Sequence, residues 1–485
     1  MKLKRLLAAF GAVLLIVCLG SPVLADEDTP TLEEQLIWAC TYREKVDISD
    51  HKIKIGTLQT VFDTLYNSGQ LPWYCDSSYT YEYNLDTGIL TSFTPMLFKV
   101  SEKDIPSYEE KAAQVLQTCI KPGMSQYQIA LALHDYLALN AAYDSSLTKH
   151  SPHDLLVGGS AVCSGYALAY QDLLRRVGIE CQYVSSVAMD HAWNVVKIDG
   201  MWYHVDVTWD DPTPNTEGMV RHLYFLRTDA EMSAGEKPHY DWNSTTACTD
   251  TRFSDAFWCD VESAIWYEDA STCYLVRSDK LKNSVYRRQE SSGRETLLHQ
   301  EADNSSVEME DGRYFFSHHG LTLRDGRLWF NTLDKVLSMK TDGSDLQTIY
   351  ENSGKTYLYG SFADEEQLRV TRSTQDGSTS LLTLDLEPTG AHQCDFTRTE
   401  IAPTEDESGY TLSVCSGCGL EVKSLPTPAL GAEEEHDDED TSDKKPSLLD
   451  PEEDDDEDFT INPVVLGGAV CLLVFSLIGR IFRKK

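Results

Sequence analysis

One stretch of this chain brings together a thiol at Cys163, an imidazole at His191 and a carboxylate at Asp206. Those types divide the work of nucleophilic catalysis. A thiolate attacks a carbonyl carbon, an imidazole carries the proton, and a carboxylate fixes the imidazole tautomer and stabilises imidazolium. Cys163 follows the small-residue run Gly158-Gly159-Ser160 and opens a helix. Tyr166, Ala169, Tyr170, Leu173, Leu174 and Val177 recur there at helical spacing, and Gly178 stops it. A thiol at a helix N-terminus meets unpaired N–H groups and the positive end of the helix dipole, which both favour thiolate. The Cys163 backbone N–H is the expected donor to an oxyanion.

The other two members belong to a hairpin. Residues 191–198 and 201–209 read as strands, and Asp199-Gly200 between them is a strong two-residue turn signal. That turn pairs Ile198 with Met201, which sets Trp193 opposite Asp206 and His191 opposite Thr208. His191 and Asp206 then share one face as diagonal neighbours, about 7–8 Å apart at the backbone. The opposite face carries Ala192, Val196, Ile198, Tyr203, Val205 and Val207, and is expected to face the core. His204 shares the face of Asp206 and competes for its carboxylate. Trp193, beside the site, is a substrate-pocket candidate that could also help an oxyanion hole. His134, His150 and His153 show no metal-ligand spacing.

The run "AVCSGYA…GI…HAWNVVKIDGMWYHVDVTWDDP" resembles the transglutaminase-like superfamily, and the likeness extends over residues 107–242. It takes in the preceding helix "IALALHDYLALNAAYD" and the later "RHLYFLRTD". The resemblance implies a papain-like α+β fold, with the cysteine on a helix and the histidine and aspartate on adjacent strands. It implies Cys163 as nucleophile, His191 as general base and acid, and Asp206 as orienter. The implied activity is acyl transfer from protein or peptide amides through a thioester, to an amine (cross-linking) or to water (proteolysis, deamidation). No cofactor is implied for catalysis. The superfamily also has silent members, so a surface binding or scaffold protein is the alternative.

Around residues 106–245 the chain is expected to divide as follows. Residues 26–105 read as an N-terminal α+β region, with helices over 31–40 and 57–67 and strands over 79–90 and 98–100. Helices are expected over 107–119 and 125–140, with Ser125 as N-cap. Residues 260–388 change to short β-like runs separated by Asp311-Gly312, Asp325-Gly326, Asp342-Gly343 and Asp376-Gly377. The unit "GRLWFNTLDKVLSMKTDGSDLQTIY" resembles blades of bacterial surface β-propeller-like repeats. Roughly three units are readable, too few to close a ring of typically four to eight blades. An incomplete array and a generic antiparallel β domain both fit. Residues 390–424 form a Cys-pair module. His392, Cys394, Cys415 and Cys418 suit a structural tetrahedral zinc, and a disulfide or free thiols stay open.

The chain has 485 residues, 41 Lys+Arg against 78 Asp+Glu, and a net charge of −37, so two or three domains are expected. That acidity argues against nucleic acid and anionic membrane surfaces as partners. No EF-hand loop points to calcium. Residues 433–458 hold 16 of the acidic residues, and 432–458 read as a self-repelling stalk. Residues 1–25 read as a signal peptide, with Lys2, Lys4 and Arg5 before an apolar run and Val23-Leu24-Ala25 as cleavage site. Residues 460–482 read as a transmembrane helix, with Arg480, Arg483, Lys484 and Lys485 on the cytoplasmic side. No Leu-Pro-x-Thr-Gly precedes it. The expected protein is single-pass, of bacterial cell-surface type, with its body outside and its substrate at the cell envelope. Of 13 Cys, two lie in the membrane signals, and the odd remainder of eleven is not a disulfide framework.

Overall fold

The computed structural model describes residues 30–430, apart from 236, 280–281, 301–305, 309–311, 313, 317–319, 354–355 and 388–392, together with Val464–Val465. The expected signal peptide over 1–25, the expected stalk over 432–458, His392 and the rest of the apolar run at 460–482 lie outside the described residues. Among the described residues, no helix is long and apolar enough to cross a membrane.

The first helix, α1 (Leu32–Tyr42), starts in a capping box: Thr31 Oγ1 accepts from the Glu34 N–H at 3.2 Å, and the Glu34 carboxylate accepts from the Thr31 N–H at 2.8 Å. It is followed by β1 (Val46–Asp47), α2 (Ile55–Asn67), β2 (Cys75–Tyr83) and β3 (Leu90–Leu97). The strand expected over 79–90 is broken. The Asn84 side chain accepts from the Asp86 and Thr87 N–H groups and Gly88 takes φ +66°, so the chain turns and Leu90 opens β3. Residues 98–100 are not a strand. Val464–Val465 lies beside β2 as a two-residue strand.

Next come α3 (Asp104–Cys119), α4 (Gln126–Asn140), β4 (Ala142–Tyr143), α5 (Pro152–Leu156), β5 (Ser160–Ala161), α6 (Cys163–Arg176), β6 (Cys181–Ser186), β7 (His191–Ile198) and β8 (Met201–Val205). The one-turn helix α7 (Val207–Asp210), β9 (Phe225–Arg227) and α8 (Asp229–Met232) follow. Strands β6 to β9 form one antiparallel sheet in sequence order, and α6 lies against it. The hairpin register is Ile198↔Met201 through Asn194↔Val205, as the Asp-Gly turn requires. Leu173 and Leu174 of α6 are buried with Val196, Ile198, Tyr203 and Val205, each side chain worth about 1.5–3 kcal/mol in transfer from water. The same core takes in Leu36, Phe62 and Phe93 from the N-terminal region and Tyr267 and Leu275 from further on. The other face of β7 is buried too: Trp193 and Val195 pack with Met232, Cys248 and Trp242 from the segment after β9.

The β region is a series of meanders. The first sheet is β10 (Trp266–Asp269), β11 (Thr272–Asp279), β12 (Lys282–Gln289) and β13 (Arg294–Gln300). The pair β14 (Ser306–Glu308) and β15 (Tyr314–Phe316) follows, then β16 (Leu321–Arg324), β17 (Arg327–Asn331), β18 (Lys335–Lys340) and β19 (Gln347–Glu351). The next sheet is β20 (Thr356–Ala363), β21 (Gln367–Thr374) and β22 (Thr379–Asp385). These make four sheets where the turn signals suggested roughly three units. The first sheet contains none of the Asp-Gly pairs, and its turns use Asp269, accepting from the Ser271 N–H, and Gly293 at φ +64°. The final sheet is β23 (Phe396–Ile401), β24 (Gly409–Cys415) and β25 (Glu421–Thr427).

The loop after α7 is gripped by these sheets. A Cβ on Gly218, which has φ +77°, would lie 2.0 Å from the Ser361 carbonyl oxygen, so only glycine fits. Glu217 donates its N–H to Thr371 Oγ1 at 3.1 Å, and its carboxylate meets Arg369 at 3.2 Å.

Candidate active site

Cys163 is the first residue of α6 and is half-buried. Val162 before it is extended, at φ −84° and ψ 177°, and its carbonyl accepts from the Gly165 and Tyr166 N–H groups at 3.0 and 3.3 Å. Gly165 lets this first turn pass close to β5, since a Cβ there would meet the Ala161 Cβ at 2.5 Å. Asn194 of β7 ties helix to sheet, donating Nδ2–H to the Ala167 carbonyl at 3.0 Å. Ala192 packs with Cys163, Ala167 and Leu168, so the start of β7 is held against the start of α6.

His191 Nε2 lies 2.7 Å from Asp206 Oδ2. An ionised carboxylate only accepts, so Nε2 carries the proton and Nδ1 is the nitrogen left for Cys163. Asp206 is not part of β8. That strand ends at Val205, and Asp206 caps α7, its Oδ1 accepting from the Trp209 N–H at 3.1 Å. The expected strand over 201–209 is therefore half strand and half helical turn, and the cap holds the carboxylate's orientation. Burial works against a charged His191, but the charge and hydrogen bond of Asp206, then the neighbouring Cys163, outweigh it and push the imidazole up to about 10. Burial also opposes charge on Asp206. His191, followed by His239, nevertheless holds that carboxyl well below its ordinary range. The ring of His191 stacks on Trp209 at 5.0 Å and Trp193 at 5.7 Å between centroids.

Residues 113–207 match the family model of the transglutaminase-like superfamily. This segment is a transglutaminase-like domain. The mouse (Mus musculus) kyphoscoliosis peptidase is 24% identical over 160 residues, covering 25% of this chain and 24% of that protein. The human (Homo sapiens) kyphoscoliosis peptidase is 29% identical over 105 residues, covering 18% of this chain and 16% of that protein. The chain thus spans a quarter or less of either relative. A solved oligogalacturonate lyase in complex with manganese matches 52% of this chain and 68% of its own, at 10% identity and a TM-score of 0.18.

Within the transglutaminase-like domain, two expected participants are otherwise engaged. His204 does not compete for Asp206: its Nε2 pairs with Asp229 Oδ1 at 2.8 Å. Its Nδ1 accepts the Trp193 indole N–H at 3.0 Å. Burial holds His204 below its ordinary value despite Asp229. Trp193 is buried, its ring stacks beside His191, and its indole N–H is spent on His204.

His239 was not foreseen from the sequence. Its Nε2 lies 2.9 Å from the same Asp206 Oδ2 that holds His191. The ring is fully buried against Trp209 at 4.2 Å and Trp193 at 4.8 Å, and Nδ1 has no hydrogen-bond partner among the described residues. It lies 33 positions after Asp206 in an irregular segment, where no periodicity places a side chain. Its aromatic setting, Pro238-His239-Tyr240-Asp241-Trp242, is the one signal available. A second buried network braces α7 from below: His134 joins Asp135 at 2.9 Å and Asp210 at 3.2 Å, and His222 joins Asp135 at 3.0 Å.

Three groups of possible metal ligands in the domain, around His134, His191 and His204, are imidazoles paired with carboxylates. A fourth group is Cys394, Cys415 and Cys418, whose sulfurs all lie within 4.8 Å of one another. The cavity of about 220 Å³ bounded by Arg221, His222, Asp260 and Ser263 involves no member of the Cys163 constellation.

Proposed function

We propose that this protein is a thiol-dependent enzyme that cleaves protein or peptide amides through a Cys163 thioester, passing the acyl group to water or to an amine. The observation that carries this reading is the chain of contacts from Cys163, at the start of α6, to His191 and on to Asp206, whose Oδ2 lies 2.7 Å from His191 Nε2. In the first half-reaction Cys163 Sγ bonds to the carbonyl carbon and the C–N bond breaks. The His191 Nδ1 proton leaves on the amine. In the second, His191 takes a proton from the incoming water or amine as it attacks, and Sγ departs as thiolate. Asp206 keeps the Nε2 proton in place throughout, and the first turn of α6 offers backbone N–H groups to the oxyanion. His239 is a positioning residue: by donating to Asp206 Oδ2 it fixes the carboxylate that fixes His191.

The relatives are named peptidases, which favours water as acceptor. The N-terminal signal segment and the apolar C-terminal run support export and a single-pass membrane anchor, with the body outside the cell. The test is acylation of the full-length protein by an activated ester, followed by mass spectrometry and by partition between water and a primary amine. A thioester on Cys163, absent from His191→Ala, is expected. An acyl group on other thiols with Cys163 unmodified would overturn the proposal and leave the silent binding protein as the better reading.

A further inference from the structure

The last sheet holds a cysteine cluster that the proposed reaction does not use. Cys415 ends β24, and Cys418 follows in the turn to β25. That turn is a tight knuckle: Gly419 sits at φ +74°, its N–H reaches the Cys415 carbonyl at 3.0 Å, and the Cys415 N–H reaches the Leu420 carbonyl at 2.9 Å. Cys394 arrives from the segment before β23, placed by the pairing of Phe396 with Cys415 and by the Ser416 N–H bonded to the Asp395 carbonyl at 3.1 Å. The result is 3.7 Å between the sulfurs of Cys394 and Cys418. A tetrahedral zinc with Zn–S bonds of ~2.3 Å places its sulfurs roughly 3.8 Å apart. A disulfide requires ~2.05 Å and would leave the third thiol over.

We infer that Cys394, Cys415 and Cys418 bind a thiophilic divalent cation, zinc, as three thiolates. Their placement gives the ion a structural task. The sheet β23–β25 lies on α3, the helix that leads into the transglutaminase-like domain, and Arg398 grips Glu110 of α3 through two bonds of 2.7 and 2.8 Å. Cys394 Sγ lies 3.8 Å from Gln117 Oε1, two turns beyond Glu110 on the same face of α3. Zinc binding displaces the three thiol protons and pins the knuckle and the start of β23 together above that helix.

The test uses the full-length chain, isolated without chelator and with thiols blocked at lysis in a parallel sample. Metal is counted by elemental mass spectrometry after exposure to zinc, and cobalt is substituted to read its spectrum. The expected result is one zinc per chain and a cobalt spectrum with thiolate-to-metal charge transfer and intense tetrahedral d–d bands. Cys418→Ser, at an exposed position, and Cys394→Ser are each expected to weaken binding about tenfold or more, while Cys259→Ser retains the metal. A wild-type chain that takes up no zinc overturns the inference. So does a disulfide between any two of the three in the blocked sample, or zinc retained at full strength by both serine variants.

Discussion

The start of α6 and the tip of β24 use the same element, sulfur, in opposite surroundings. At α6 a single thiol faces an imidazole, which is itself held charged by a buried carboxylate. At β24 three thiols face one another, with a carboxamide as the polar neighbour. One arrangement sets a single sulfur beside a proton carrier. The other supplies several soft donors to one point and no proton carrier at all. The neighbours, more than the cysteine, decide between nucleophile and ligand.

The largest effect should come from Cys163→Ala, which is expected to eliminate ester-driven acylation while zinc stays at one per chain. Loss of metal in that variant would break the distinction between the two sites. Asp206→Asn comes next. It removes the charge that holds both imidazoles, and a loss of about 10³–10⁴-fold in acylation rate is expected, by analogy with other triads. His239→Gln should cost about tenfold and alter the pH–rate profile, with Cys163 still alkylated, because it acts through Asp206; an unchanged profile would reduce His239 to packing. Stripping zinc with a chelator should change Cys163 alkylation by less than about twofold, since a structural ion does not touch the reacting atoms.

The smallest effect concerns stability. Burial opposes charge on His134, but Asp135 and Asp210 push it up to about 9, above its unfolded value of about 6.5. Its contribution is therefore complete below about pH 6.5 and is lost as pH rises through about 9. Thermal melts between pH 6 and 9.5 should show Tm falling across that window, and the slope should flatten in His134→Gln. An equal slope in the variant would assign the fall to other groups.

Much of the site could be read from residue order because the information is local. Asp199-Gly200 fixes the hairpin register, and the spacing after Cys163 fixes the helix it opens. The end of β8 could not be read, since the apolar alternation continues through Val207 while the Asp206 side chain diverts the backbone into α7. The burial of both faces of β7 was hidden as well, because its cover comes from residues beyond β9. His239 was hidden for the same reason: it belongs to that cover. In the β region the apolar runs at 264–267 and 273–276 marked β10 and β11, and Asp-Gly turns marked later sheets. Strands β12 and β13 carried no Asp-Gly signal, because the turns of that first sheet use other chemistry.

The shared core has a practical meaning for anyone who handles the gene. Tyr267 and Leu275 of the first meander pack into the same apolar interior as Phe62 and Leu173. A recombinant fragment cut at the borders suggested by family resemblance, 106 and 245, would have bare oily flanks on both sides and is expected to precipitate. The smallest portable piece, for cloning or for exchange between genomes, therefore begins ahead of α1 and ends beyond β22, because Phe362 of β20 shares that interior and β20 and β21 hold Glu217 and Gly218.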